Sequence, residues 1–99
     1  MLFMVKVRLD TARVGELGAK LQAGAIDLGA MRWTFCHQED LAVGVSLWEV
    51  ADRGELDRRL DPLRPYYARV DEVTPVITSP EAQARLLEQH PRPGGVRGA

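Results

Sequence analysis

Few side chains in this 99-residue chain are equipped for chemistry. Glu72 and His37 could take up and return a proton, His37 because an unperturbed imidazole titrates near neutrality. Lys6, Arg8 and Arg32 could receive an anion, and an arginine fork suits a planar carboxylate best. Tyr66 and Tyr67 follow the proline turn Arg64-Pro65, and either phenol could donate a hydrogen bond. Met4 and Trp48 could form the apolar walls that most small-molecule sites have. Cys36 is the only cysteine; it has no evident activating base, so an inert buried thiol is its default. Plainer roles stand beside each of these. Glu72 could close an ion pair within a sheet, His37 could sit exposed on a hairpin, Arg32 could be solvated charge, and Met4 and Trp48 could be interface packing. His90 lies beside the tail and is set aside.

The motifs that are missing narrow the field. Two histidines and scattered carboxylates do not make a metal site, and there is no G-x-G-x-x-G or phosphate loop. The expectation is therefore no metal and no tightly held flavin, nicotinamide or ATP. A formal net charge of -1 argues against non-specific attraction to nucleic acid or anionic membrane. No apolar run approaches the ~20 residues that span a bilayer. The start MLFMVKVRLD lacks the pattern of a signal peptide, and one cysteine fits a reducing compartment. A cytoplasmic protein is expected, with a single domain over 1–90 and a flexible Pro/Gly-rich tail over 91–99.

The elements that must position these residues follow from hydrophobic period. Residues 2–9 alternate, with Phe3, Val5, Val7 and Leu9 on one face and Leu2, Met4, Lys6 and Arg8 on the other. Asp10 or Thr11 can cap a helix in which Val14, Leu17, Leu21, Ala25 and Leu28 form one stripe along about five turns. Gly15, Gly18 and Gly24 lie inside it, read as permitting close approach to a sheet, and Gly29 is its stop. Residues 31–38 and 41–50 read as a hairpin. Met31, Trp33 and Phe35 share one face of the first of these strands. In the second, Val43, Val45 and Leu47 share a face opposite to Ala42, Gly44, Ser46 and Trp48.

Asp52 and Glu55 have capping-box spacing, Leu56 and Leu60 bury a short helix, and Pro62 ends it. Residues 67–77 form the fourth strand. Ser79, followed by Pro80 and Glu81, opens a last helix, whose Leu86 and Leu87 predict docking on something. The order β-α-β-β-α-β plus a C-terminal helix is the ferredoxin-like α+β arrangement, an antiparallel sheet with helices on one face. Right-handed crossovers put the first and third strands in the centre. The face with Met4, Lys6, Arg8, Ser46, Trp48, Glu72 and Thr74 is then left uncovered. Apposition of a second subunit, sheet to sheet, would cover it and enclose a cavity.

The start LFMVKV, the strand SLWEV, the following EL…L helix and the run PLRPYY…EVTPVITSP resemble the small muconolactone Δ-isomerase family, in the same order over roughly residues 2–80. The 33–40 hairpin, WTFCHQED, departs from that family's pattern and keeps only the tryptophan. The resemblance implies a dimeric α+β barrel, stacked in some cases into larger rings, acting on a small anionic lactone without a cofactor. Isomerising such a lactone needs a base beside a carbonyl, positive charge where the enolate oxygen develops, and an anchor for the carboxylate. In that scheme Glu72 is the first choice as base and His37 the second. Lys6, Arg8 and Arg32 receive the anion, Tyr66 or Tyr67 donates to substrate, and Met4 and Trp48 are walls. Two rival readings share the barrel: a cofactor-free oxygenase or cyclase acting on an aromatic or polyketide-like ring, and a non-catalytic ligand-binding dimer.

Overall fold

The computed structural model describes residues 1–90, so the tail reading for 91–99 lies outside the described residues. Strands β1 (Leu2–Leu9), β2 (Met31–Cys36), β3 (Val43–Glu49) and β4 (Tyr67–Val76) form one sheet in the order β2-β3-β1-β4, every neighbouring pair antiparallel. Helices α1 (Val14–Gln22), α2 (Arg53–Leu60) and α3 (Ser79–Gln89) complete an α+β fold compatible with the ferredoxin-like arrangement. The first and third strands are central, as the crossover argument expects.

The core lies on one face of the sheet. Phe3, Val5 and Val7 of β1 meet Leu56 and Leu60 of α2, with Leu63 and Tyr66 from the segment that follows. Helix α2 forms where the capping box places it. The Asp52 carboxylate accepts from the Glu55 N–H at 2.8 Å, and Glu55 Oε1 accepts from the Ala51 N–H at 2.7 Å. Two N-terminal donors are thereby satisfied while the two leucines reach the core.

Trp48 belongs to this core and is fully buried, which corrects its expected place on the uncovered face. The register pairs Phe3 with Trp48 and Val5 with Ser46, so the even residues of β3 share the helix-covered face. Val43, Val45 and Leu47 face the open side, opposite Arg8, Lys6 and Met4. The reason is size and polarity together. The indole is the largest apolar body available, and its N–H donates to Ser46 Oγ at 2.8 Å inside the core. The row of small residues leading to Trp48 makes space beneath the helices, not a cavity on the far side.

Three irregularities displace other faces from strict alternation. Met31 pairs with Trp48 and Trp33 with Leu47, so Arg32 is an extra residue. Met31 turns inward, while Trp33 and Phe35 point outward and stack at 6.4 Å between ring centroids. In β4, Lys6 pairs with Glu72 but Val7 with Val70, and Arg8 with Arg69 but Leu9 with Tyr67, so Asp71 and Ala68 bulge.

Helix α1 is shorter than its apolar stripe predicts. Gly24 takes φ +70°, its N–H donates to the Leu21 carbonyl, and the Ala25 N–H donates to that of Lys20. That pair of bonds is a Schellman stop, five residues before Gly29. Gly15 and Gly18 face open space, where an added methyl group would meet no neighbouring element within 4 Å, so they permit no close approach. Thr78, not Ser79, caps α3 by accepting from the Glu81 N–H at 3.3 Å. No side chain of α3 is buried, and Leu86 and Leu87 stand 54% and 59% exposed.

Candidate functional site

Of the residues expected at one cavity, Met4, Lys6, Arg8 and Glu72 share the open face of the sheet. Lys6 and Glu72 are direct cross-strand partners at the centre of the β1–β4 ladder. The bulge at Asp71 sets this, because it lets Val70 and Val73 both face the core while Glu72 stays outside. Glu72 Oε2 accepts from the Thr74 hydroxyl at 2.7 Å. Arg8 donates to Asp40 Oδ2 at 2.7 Å across the sheet end. That hydrogen bond raises the Arg8 pKa and lowers that of Asp40. Arg69 stands opposite Arg8 on the same face, and its Nε donates to Asp71.

The remaining candidates lie elsewhere. Tyr66 is buried on the helix side, where its hydroxyl donates to Glu16 Oε2 at 2.8 Å, so it does not reach the open face. Tyr67 pairs with Leu9 on that same helix side, and burial pushes its phenol up to about 12. Trp48 is enclosed in the core. Arg32 and His37 are exposed on and just beyond the edge strand β2. The structure thus divides the expected set between two faces and an edge.

Two residues that matter to the open face were not among the candidates. Trp33 and Phe35, 62% and 63% exposed, extend the face beside Leu47 and Val45. The alternation of β2 carries their shared face, and their size marks them as more than solvent-facing residues. Together with Leu2 and Met4 they make an apolar field around the Lys6–Glu72 pair, of a kind a lone soluble chain rarely shows.

A second hollow, of about 210 Å³, opens on the helix side between α1 and the sheet. Its walls come from Val7, Leu17, Leu21, Leu28, Met31 and Tyr67, with Thr34, Cys36 and Ser46 on the sheet side. A larger open groove, about 770 Å³, lies where α3 leaves the sheet, between Leu2, Val76, Ile77 and Arg85. It holds none of the proposed proton-transfer groups. Among the described residues no group of three or more His, Cys, Asp or Glu side chains is placed to hold a metal ion, and no helix is long and apolar enough to cross a membrane.

No protein-family model, curated protein or solved structure matches the chain.

Proposed function

We propose that the chain acts as a homodimer, its open sheet faces apposed, and that it is a cofactor-independent isomerase moving a proton on a small anionic, lactone-like metabolite. One observation carries the reading: Lys6 stands directly opposite Glu72 on an uncovered face that is otherwise rich in Met4, Leu47, Trp33 and Phe35. Covering that face strengthens the Coulomb field of the lysine at a developing enolate and lets the carboxylate work as a base in a drier setting. Arg8, already paired with Asp40 at the end of the face, is placed to hold a substrate carboxylate at the rim.

The test is isomerisation of muconolactone, read by ultraviolet absorbance together with deuterium uptake from solvent. The wild-type chain is expected to catalyse both. Glu72→Gln and Lys6→Met are each expected to lose about 10²-fold or more in turnover, the range of a lost general base or charge stabiliser. Full activity in both variants overturns the site. Absence of turnover and of exchange in the wild type overturns the reaction.

A further inference from the structure

We infer that the cleft between α1 and the helix-side face of the sheet is a binding site for a compact, uncharged ring. It is separate from the Lys6–Glu72 face, on the opposite side of the sheet, and stands whether or not that face is catalytic. Three observations carry it.

The first is the lining. Val7 and Leu9 of β1, Leu17 and Leu21 of α1, Leu28 and Met31 supply the walls, and no charged side chain lines the cleft. An ionised ligand would lose its hydration there without gaining a counter-charge. The second is size. A dry apolar cavity of about 150 Å³ takes a benzene-sized guest, and a hollow of about 210 Å³ takes one ring or a small fused pair.

The third is the way α1 is held. A helix with an apolar stripe usually buries it; in α1 no side chain is fully buried, and Leu17 alone packs, half-buried, against the core. The rest of its anchorage is polar and centres on its N-terminal end. Arg13 Nη1 donates to the Pro65 carbonyl at 2.7 Å, and Arg13 Nη2 and the Tyr66 hydroxyl both donate to Glu16 Oε2 at 2.8 Å. The Arg13 guanidinium lies 4.8 Å from the Tyr66 ring centroid and Lys20 Nζ 5.5 Å. This clasp fixes the helix at a stand-off from the sheet, leaving Leu17 and Leu21 over an open apolar floor. A ring between them would complete the packing that the helix lacks.

Cys36 is exposed, lines the cleft and is the only thiol in the chain, so it reports occupancy. Indole is the probe, titrated against the rate of Cys36 alkylation by N-ethylmaleimide and against amide shifts in a ¹⁵N-labelled sample. Saturable slowing of alkylation is expected, with shifts at Val7, Leu21 and Met31, and no slowing by benzoate, which has similar breadth but carries charge. Leu21→Trp fills the cleft from the exposed side of α1 and is expected to weaken indole tenfold or more in the shift titration. Trp33→Ser, on the other face, is expected to leave indole affinity unchanged. Failure of indole to protect, equal protection by benzoate, or loss of binding in Trp33→Ser each overturns the site.

Discussion

One oxygen of Glu16 receives both the Tyr66 hydroxyl and an Arg13 guanidinium N–H. The Tyr66 hydrogen bond, and after it Arg13, hold this carboxyl below the ordinary carboxylate range. A carboxyl lowered in the native state stabilises the fold above its unfolded pKa of about 4.3; the contribution fades as pH falls through the lower native value. Tyr66→Phe and Glu16→Gln should therefore each flatten the loss of stability below about pH 4, measured by urea unfolding across pH 7 to 2.5. Asp40, lowered by Arg8, and Glu55, lowered first by the Ala51 N–H, still titrate in those variants. The slope should shrink without vanishing. An unchanged acid limb in both variants would show that the clasp contributes nothing to folding.

At the scale of elements, α1 separates two kinds of glycine. Gly15 and Gly18 are helical and meet nothing, so Ala at either should raise stability by about 0.5–1 kcal/mol through helix propensity and a less free unfolded chain. Gly24→Ala, at φ +70°, should lower it by about 1–2 kcal/mol. Thermal melts of the three single variants check both signs. The strand–helix order and α2 were legible because their signals are local: alternation in residues 2–9, and Asp52 with Glu55 ahead of Leu56 and Leu60. The end of α1 was not, because Ala25 and Leu28 prolong a helical spacing beyond the Schellman stop at Gly24. Faces in β2 and β3 were misjudged for a different reason. Alternation gives two faces without saying which is inner, and only Trp48 competing against Val45 and Leu47 for the core decides that. The bulges at Arg32, Ala68 and Asp71 arise from pairing with another strand and leave no mark in local spacing. Of the site, the shared open face of Lys6 and Glu72 was readable from alternation, whereas their register opposite one another rests on the bulge at Asp71 and the cleft under α1 depends on how far a helix stands from a sheet.

At the scale of the whole molecule, the open face and α3 are the parts that no other element among the described residues packs over. Phe35, next to Trp33 on the edge strand β2 and 63% exposed, is an apolar anchor of the proposed sheet-to-sheet dimer. Phe35→Glu should bury an unpaired charge in that interface and shift the protein from dimer to monomer in sedimentation at micromolar concentration, with circular dichroism unchanged. A wild-type chain that sediments as a monomer under the same conditions removes the dimer, and with it the enclosed setting proposed for Glu72. The two bulges of β4 bear on how copies of the chain can meet. β4 is an edge strand, and it carries unpaired Ala68 and Asp71 as well as Pro75, which has no N–H to offer. A border broken in this way is a poor template for adding another strand, so runaway edge-to-edge growth into fibres is disfavoured on that side. The interruptions that keep Glu72 outward thus also guard one border of the sheet against polymerisation.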